Sequence, residues 1–229
     1  MIGAIFAGGY GKRLQSVSHD VLKVLMPLKD NYVILDHQLL DFERADIWEV
    51  YLLTRYRGEL IERRYGSKWK GITINYLREE VPMGTLWSLK NLYSSVDLDM
   101  VLRNGDTICD VGLKQFSKIS LSNRSLASVV VTKMKSPYGV VYLREHSVTR
   151  FVEKPLLNHY VNAGAYFLKR ELRPLFKKNF HSKNIEVSVL KSLAAKRELF
   201  AHRFNGFWKS IDNAKDYEEA REIFSNREI

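Results

Sequence analysis

"IGAIFAGGYGKRL" (Ile2–Leu14) runs from a short apolar segment straight into a turn with three glycines and two adjacent cations. The apolar run Ile2–Ala7 reads as a buried strand. Gly8, Gly9 and Gly11 admit backbone conformations and close approaches that other residues resist. Backbone N–H groups in such a turn can converge on phosphate oxygens. Arg13 adds a planar fork of donors suited to the same group, and Lys12 adds a second charge. The stretch therefore points to an anion at the end of the first strand of an α/β sheet.

Two familiar phosphate-binding signatures fail here. A dinucleotide fingerprint needs G-x-G-x-x-G/A, and the third small residue is replaced by Leu14 after Gly9 and Gly11. A P-loop needs G-x-x-x-x-G-K-[ST], and Phe6 and Arg13 stand at its first glycine and its hydroxyl position. What survives is a glycine turn with an arginine two residues beyond its last glycine.

Further along, apolar runs alternate with helical patterns. Helices are expected over Tyr32–Ala45, Gly58–Tyr65 and Thr85–Tyr93, with Thr85 as a cap. Strands are expected over Ile47–Thr54, Ile72–Leu77 and Met100–Arg103. This alternation predicts a mostly parallel sheet covered on both faces. In the second half, Leu126–Lys133, Gly139–Leu143, Val148–Lys154 and Ala163–Lys169 read as closely spaced strands. Helices follow at Arg170–Lys178, Ile185–Lys196 and Ala214–Phe224. No linker or repeat divides the chain, which predicts one domain over residues 1–229 whose second half lays a cover over the edge of the first.

The 229 residues suffice for a substantial core, and 36 basic against 26 acidic residues give a net charge of +10. That excess favours anionic partners. The basic residues are scattered and no nucleic-acid-binding motif is present, so phosphorylated small molecules fit better than a polynucleotide. No run has the length of a membrane span, and Ile2–Ala7 is too short for a signal peptide. Cys109 is alone, which excludes a disulfide framework and a cysteine zinc site. The expectation is a cytoplasmic protein with neither nucleic acid nor membrane as partner.

The motifs in sequence resemble those of the sugar-1-phosphate nucleotidyltransferases (nucleotide-sugar pyrophosphorylases). "AGGYGKRL" (Ala7–Leu14) is similar to that family's A-G-G-x-G-[TS]-R-L signature, and "DVLKVLMPL" (Asp20–Leu28) to its D-x-P-K-P-L-x-P segment. "YLREEVPMGT" (Tyr76–Thr85) resembles the base-reading loop and "NGDT" (Asn104–Thr107) the metal-binding turn. "YGVV" (Tyr138–Val141), "FVEKP" (Phe151–Pro155) and "VNAGAYFLK" (Val161–Lys169) resemble the sugar-side motifs, with "NIEVSVL" and "GFWKSIDNAKDY" following in order. The resemblance implies a Rossmann-like three-layer α/β/α fold with a mixed, mostly parallel central sheet, the nucleotide-diphospho-sugar transferase fold. It implies a reaction in which a nucleoside triphosphate and a sugar 1-phosphate give a nucleotide sugar and pyrophosphate. Many relatives continue into a left-handed β-helix. None is expected here, so any homo-oligomer would use catalytic-domain surfaces.

By the same resemblance, Arg13 holds the β- and γ-phosphates and Lys23 bridges the α-phosphate and the sugar phosphate. Ala7, Gly8, Gly9, Gly11, Lys12, Glu79, Pro82, Gly84 and Thr85 surround the nucleotide. Gly139, Glu153, Lys154 and Asn162 take the sugar phosphate. Lys12 stands where Thr or Ser is usual and Val24 replaces a proline, neither of which removes a needed charge. Asp106 is the expected Mg²⁺ ligand. Aligning "KDY" puts Ser210 where a second acid is usual, whereas members with the acid a few residues after the tryptophan, as in "WKSID", place it at Asp212. We take Asp212 as the second ligand; its rival role is to cap the following helix.

Glu79 stands at the base-contact position. A carboxylate only accepts hydrogen bonds, so it suits the N1–H and N2–H₂ donors of guanine and opposes the carbonyls of uracil. This favours GTP. The "NGDT" and "EKP" motifs resemble those of guanylyltransferases acting on mannose or heptose 1-phosphates. The alternatives are a uridylyl-, thymidylyl- or cytidylyltransferase on another hexose 1-phosphate, and a non-catalytic subunit that binds a nucleotide sugar. Arg13→Ala is expected to reduce turnover far more than thermal stability; pyrophosphate release and the melting midpoint, measured on the same preparation, check this.

Overall fold

Strand β1 (Ile2–Phe6) lies at the centre of an eight-stranded sheet, and both of its faces are covered. The computed structural model describes residues 1–9, 14, 21–80, 84–177 and 180–227. In chain order the first half supplies β2 (Pro27–Lys29), β3 (Tyr32–Val33), α1 (Ile34–Arg44), β4 (Glu49–Thr54) and α2 (Gly58–Tyr65). It continues with β5 (Lys68–Trp69), β6 (Ile72–Arg78), α3 (Thr85–Ser95), β7 (Met100–Asn104), β8 (Thr107–Cys109) and α4 (Leu113–Ser122). The second half adds β9 (Ala127–Lys135), β10 (Val140–Arg144), β11 (Ser147–Val152), β12 (Leu156–Leu168) and α5 (Lys191–Ala195). It ends with β13 (Leu199–Arg203), β14 (Trp208–Ser210) and α6 (Ala214–Ser225).

The sheet order is β13-β9-β12-β7-β1-β4-β6-β5. The pairs β7-β1, β1-β4, β4-β6 and β9-β13 are parallel, while β12 runs antiparallel to both β7 and β9 and β5 runs antiparallel to β6. Period-two alternation sends Ile5, Val50, Leu52 and Val101 to one face, where they meet Leu35, Leu39 and Phe42 of α1, Ile61 of α2 and Phe116 of α4. Ile2, Ala4, Met100 and Leu102 face the other side and meet Leu89 and Leu92 of α3, with Leu172, Phe176, Val189 and Leu193 of the later helical turns. The expected three-layer α/β/α arrangement with a mostly parallel sheet is therefore present. Among the described residues no helix is long and apolar enough to cross a membrane.

Three expectations need correction. The second half is not a cover over an edge: β12, β9 and β13 extend the same sheet beyond β7. Apolar runs identify strands, but the choice of partner is a tertiary matter; of the later strands, β10 and β11 pair with each other and β14 pairs with β8, outside the main sheet. The helix expected from Tyr32 begins at Ile34, because Tyr32–Val33 pairs with β2. Thr85 does not cap α3. Gly84 holds the cap position, and the Thr85 hydroxyl oxygen accepts a hydrogen bond from the Ile185 N–H at 3.0 Å. Helix α4 and the strands β2, β3, β5, β8, β13 and β14 were not anticipated.

A buried charge pair ties the sheet to α1. Arg103, in the middle of β7 and 1% exposed, donates to the Asp41 carboxylate and to the Cys109 carbonyl at 2.9 Å. Beside it, His37 contacts the Tyr32 hydroxyl at 3.0 Å and Asp110 at 3.1 Å, and Arg227 donates to Asp110 at 2.8 Å. Burial opposes ionisation of Asp110, but His37 and Arg227 outweigh it and hold that carboxyl below the usual range. Removing one member of a buried pair strands the other charge. Asp41→Asn is expected to destabilise the fold by about 3–5 kcal/mol, read as a lowered urea midpoint.

Candidate active site

A cavity of about 290 Å³ opens across the C-terminal ends of β7, β1, β4 and β6, the place where open α/β sheets bind ligands. Because these strands are neighbours, their terminal residues form a row with a spacing of about 4.8 Å. Asn104 ends β7 and Gly105 and Asp106 follow it, Gly8 and Gly9 follow β1, Arg55 follows β4 and Glu79 follows β6; all of them line the cavity.

Gly105 sets one end of the row. Its N–H donates to the Phe6 carbonyl at 3.1 Å, and a β-carbon there would lie 2.3 Å from that oxygen and 2.9 Å from a Val24 methyl. Only glycine lets the "NGD" turn come this close to β1. Asp106 is thereby set against Lys23, whose Nζ donates to Oδ2 at 3.0 Å. Lys23 follows Leu22 in a short 3₁₀ turn (Lys23–Leu25), with Val24 packed into the core.

Asp212 reaches the same lysine from the far end of the sequence. Strand β14 pairs with β8, and the Ile211 N–H donates to the Asp106 carbonyl at 2.9 Å. Asp212 Oδ1 then stands 3.7 Å from Lys23 Nζ, and Ser210 Oγ donates to Oδ2 at 2.8 Å. The helix cap that rivals this role is Asn213, whose side chain accepts from the Asp216 N–H at 3.0 Å. Asp212 is therefore free of the capping role, and Ser210 orients it. Two carboxylates, one from the middle of the chain and one from near its end, converge on one ammonium group.

At the other end of the row Glu79 is buried, receives a hydrogen bond from the Ser88 hydroxyl, and donates its own N–H to the Thr54 carbonyl at 2.9 Å. Gly84 has φ +88°, and a β-carbon on it would lie 2.5 Å from the Lys183 carbonyl oxygen. Both conditions require glycine. Thr85 also lines the cavity. Ala7 is buried one residue earlier, with its N–H on the Leu53 carbonyl at 2.9 Å, and is not among the lining residues.

The sugar-side residues fall into two groups. Asn162 on β12 donates to the Tyr166 hydroxyl at 2.6 Å and accepts from the Gly164 N–H at 3.0 Å. Burial raises the Tyr166 pKa, with Asn162, Glu186 and Asn104 around its hydroxyl, so it stays a neutral phenol. Asn104 and Glu186 line the cavity, so Asn162 adjoins its wall through Tyr166. Glu153 and Lys154, by contrast, are exposed at the foot of the β10–β11 hairpin and 3.9 Å apart. Gly139 lies at the opposite foot, next to the Phe151 ring and the Glu153 carboxylate. None of these three lines the cavity. Gly11, Lys12, Arg13 and Pro82 lie outside the described residues.

The structure adds Arg55, Ser88, Asn104, Gly105 and Glu186 to the site. Glu186 lies in the quoted "NIEVSVL" stretch and Asn104 in "NGDT", so proximity to a motif could have found them. Arg55 carries no such signal. Among the described residues no group of three or more His, Cys, Asp or Glu side chains forms a metal cage.

The nucleotidyl transferase family model matches residues 2–227. The chain belongs to this family. Over 229 residues it is 30% identical to a mannose-1-phosphate guanyltransferase of Yarrowia lipolytica, covering 95% of this chain and 62% of the relative. It is 31% identical over 234 residues to the mannose-1-phosphate guanylyltransferase catalytic subunit beta of Danio rerio, with the same coverage of 95% and 62%. The chain thus spans 62% of the length of these relatives. A solved structure of HddC from Yersinia pseudotuberculosis, complexed with GMP-PN, superposes with a TM-score of 0.73 at 22% identity and covers 98% of this chain and 100% of that one. A Bacillus anthracis chain assigned as a glucose-1-phosphate thymidylyltransferase gives 0.82 at 19% identity, covering 100% and 97%. At these identities the two structures show the shared fold.

Gly84→Ala is expected to lower stability by about 1–3 kcal/mol through backbone strain, before its contact with Lys183 is counted. Urea denaturation beside the wild type measures this.

Proposed function

We propose that this chain transfers a guanylyl group from GTP to a sugar 1-phosphate of the mannose or heptose type, releasing pyrophosphate. The observation that carries this reading is the convergence of Asp106 and Asp212 on Lys23, with Lys23 and Asp106 lining the same cavity as Gly8 and Gly9. The names of the curated relatives support guanine and mannose, and the buried Glu79 at the far end of the cavity supports guanine independently.

A phosphate oxygen of the sugar phosphate attacks the α-phosphorus in line; that P–O bond forms as the bond to pyrophosphate breaks. No covalent nucleophile is needed, and the work is positioning and charge compensation. Lys23 is placed to hold the α-phosphate and the incoming phosphate together. The glycine turn would supply backbone donors to the triphosphate, and Arg13 would hold the leaving pyrophosphate.

Asp106 and Asp212 suit a divalent cation: two hard carboxylates already share one positive group, and Mg²⁺ commonly uses one or two carboxylates plus phosphate oxygens. Mg²⁺ bound there would neutralise charge on the phosphates. Glu153 and Lys154 at the foot of the hairpin, with Asn162 nearer the cavity, are the proposed sugar-phosphate contacts. We read residues 1–229 as a single catalytic domain.

The test is a matrix of GTP, ATP, UTP, dTTP and CTP against several sugar 1-phosphates with Mg²⁺, reading pyrophosphate. Release is expected with GTP and one mannose- or heptose-type phosphate, abolished by EDTA and lowered by about 10²-fold or more in Lys23→Ala. Turnover with UTP or dTTP but not GTP would overturn the base assignment. Nucleotide-sugar binding without pyrophosphate release from any pair would mean a binding subunit.

A further inference from the structure

Arg55 is a half-buried cation in the wall of the cavity that the reaction above does not use. It follows Thr54 at the end of β4, and Glu79 follows Arg78 at the end of β6, the neighbouring strand, whose register pairs Thr54 with Arg78. The Arg55 and Glu79 positions are therefore about 5 Å apart along the row, while β7, with Asp106, is two strand spacings, about 10 Å, from β4. Arg55 belongs to the Glu79 end, not to the end where Lys23 and Asp106 gather charge.

Its guanidinium makes no hydrogen bond or ion pair with another described residue. The nearby Arg78 is held by Glu59 at 3.5 Å. Glu79 is of opposite charge and lines the same cavity, yet it is held by the Ser88 hydroxyl and not by Arg55. A forked donor and a carboxylate acceptor on adjacent strand ends, unpaired with each other, leave room for a planar group that offers acceptors to one and donors to the other. Gly8 brings the β1 backbone against this wall: a β-carbon on it would lie 3.1 Å from Arg55 Cβ.

We infer that Arg55 is a specificity-determining residue that reads the O6/N7 edge of guanine while Glu79 accepts from N1–H and N2–H₂. This rests on the GTP reading proposed above. The two edges meet at O6, so side chains from adjacent strands can address one base. Arginine is suited to this edge because its parallel N–H donors match O6 and N7 together. Adenine places an amino donor where O6 would be, against the guanidinium. Uracil has no N7 and turns a carbonyl toward Glu79.

Equilibrium binding of GTP, 7-deaza-GTP, ITP and UTP, without sugar phosphate, tests the assignment on the wild type, Arg55→Met, Arg55→Lys and Glu79→Gln. The wild type should bind GTP about tenfold or more tightly over 7-deaza-GTP, which lacks N7. Arg55→Met should bind these two nucleotides alike, and Arg55→Lys, whose ammonium lacks the planar fork, should keep only part of the preference; both should still prefer GTP over ITP, which lacks the N2 amine. Glu79→Gln should lose the preference over ITP and keep that over 7-deaza-GTP. Arg55→Lys keeps the charge and most of the stem, so it remains informative if Arg55→Met folds poorly. Equal weakening of all four nucleotides in the Arg55 variants would make the residue a phosphate anchor and overturn the inference, as would unchanged discrimination. A wild type that prefers UTP to GTP would overturn the guanine reading itself, and this inference with it, before any variant is compared.

Discussion

The close approach of Gly105 to the end of β1 is the constraint on which the site depends. With no side chain at that position, the turn after β7 rests on the Phe6 carbonyl and against Val24. Asp106 is the next residue, and Lys23 immediately precedes Val24, so one contact fixes the spacing of both charged groups. The Asp106 carbonyl in turn accepts the Ile211 N–H, which holds Asp212 beside the same lysine. A β-carbon at 105 would disturb each of these groups, because the turn rests on Phe6 through a backbone hydrogen bond and on Val24 through a methyl contact, and Asp106 holds Ile211 through a second backbone hydrogen bond.

The charges in this molecule fall into two sets with different work. Arg103 and Asp41 are buried together in the layer between β7 and α1, where their attraction locks helix to sheet. His37, Asp110 and Arg227 extend that set toward α6, whose Phe224 ring packs edge-on to His37. Lys23, Asp106, Asp212, Arg55 and Glu79 form the other set, at strand ends where the backbone is no longer paired on the sheet. There Lys23, Asp106, Arg55 and Glu79 line a cavity; Lys23 is answered by Asp106 and Asp212, while Arg55 and Glu79 are not paired with each other and can be answered by a ligand.

Much of the fold was legible because parallel strands covered on both faces are apolar throughout. Ile2–Phe6 carries that pattern and residues 100–102 carry it up to Arg103, while Gly58–Tyr65 carries a helical one with bounds that the structure keeps. Strand pairing was not legible. The apolar character of β12 and β9 says that they are buried strands, but not that they extend the sheet from β7 instead of covering its edge. Thr85 illustrates a local rule overridden: a threonine at the start of a helix suits a cap, but Gly84 with positive φ takes the cap and the hydroxyl accepts from Ile185 across the cavity mouth.

From the residues, the alternation of apolar runs and helical patterns determined an α/β sheet, and Ile2–Leu14 pointed to an anion at the end of its first strand, because glycines and cations together suit one; the places expected of Lys23, Asp106 and Glu79 came from motifs that resemble the family's. Arg55 and Ser88 had no such signal, and Glu186 drew attention only through the stretch around it. Each became part of the site through the adjacency of strand ends and the packing of a helical turn on α3, which the order of residues along the chain does not encode. The same holds for Asp212. Its distance in sequence from Asp106 says nothing of their proximity, and the β8–β14 ladder supplies it, because antiparallel pairing of Thr107 with Ser210 sets the two acids on one lysine.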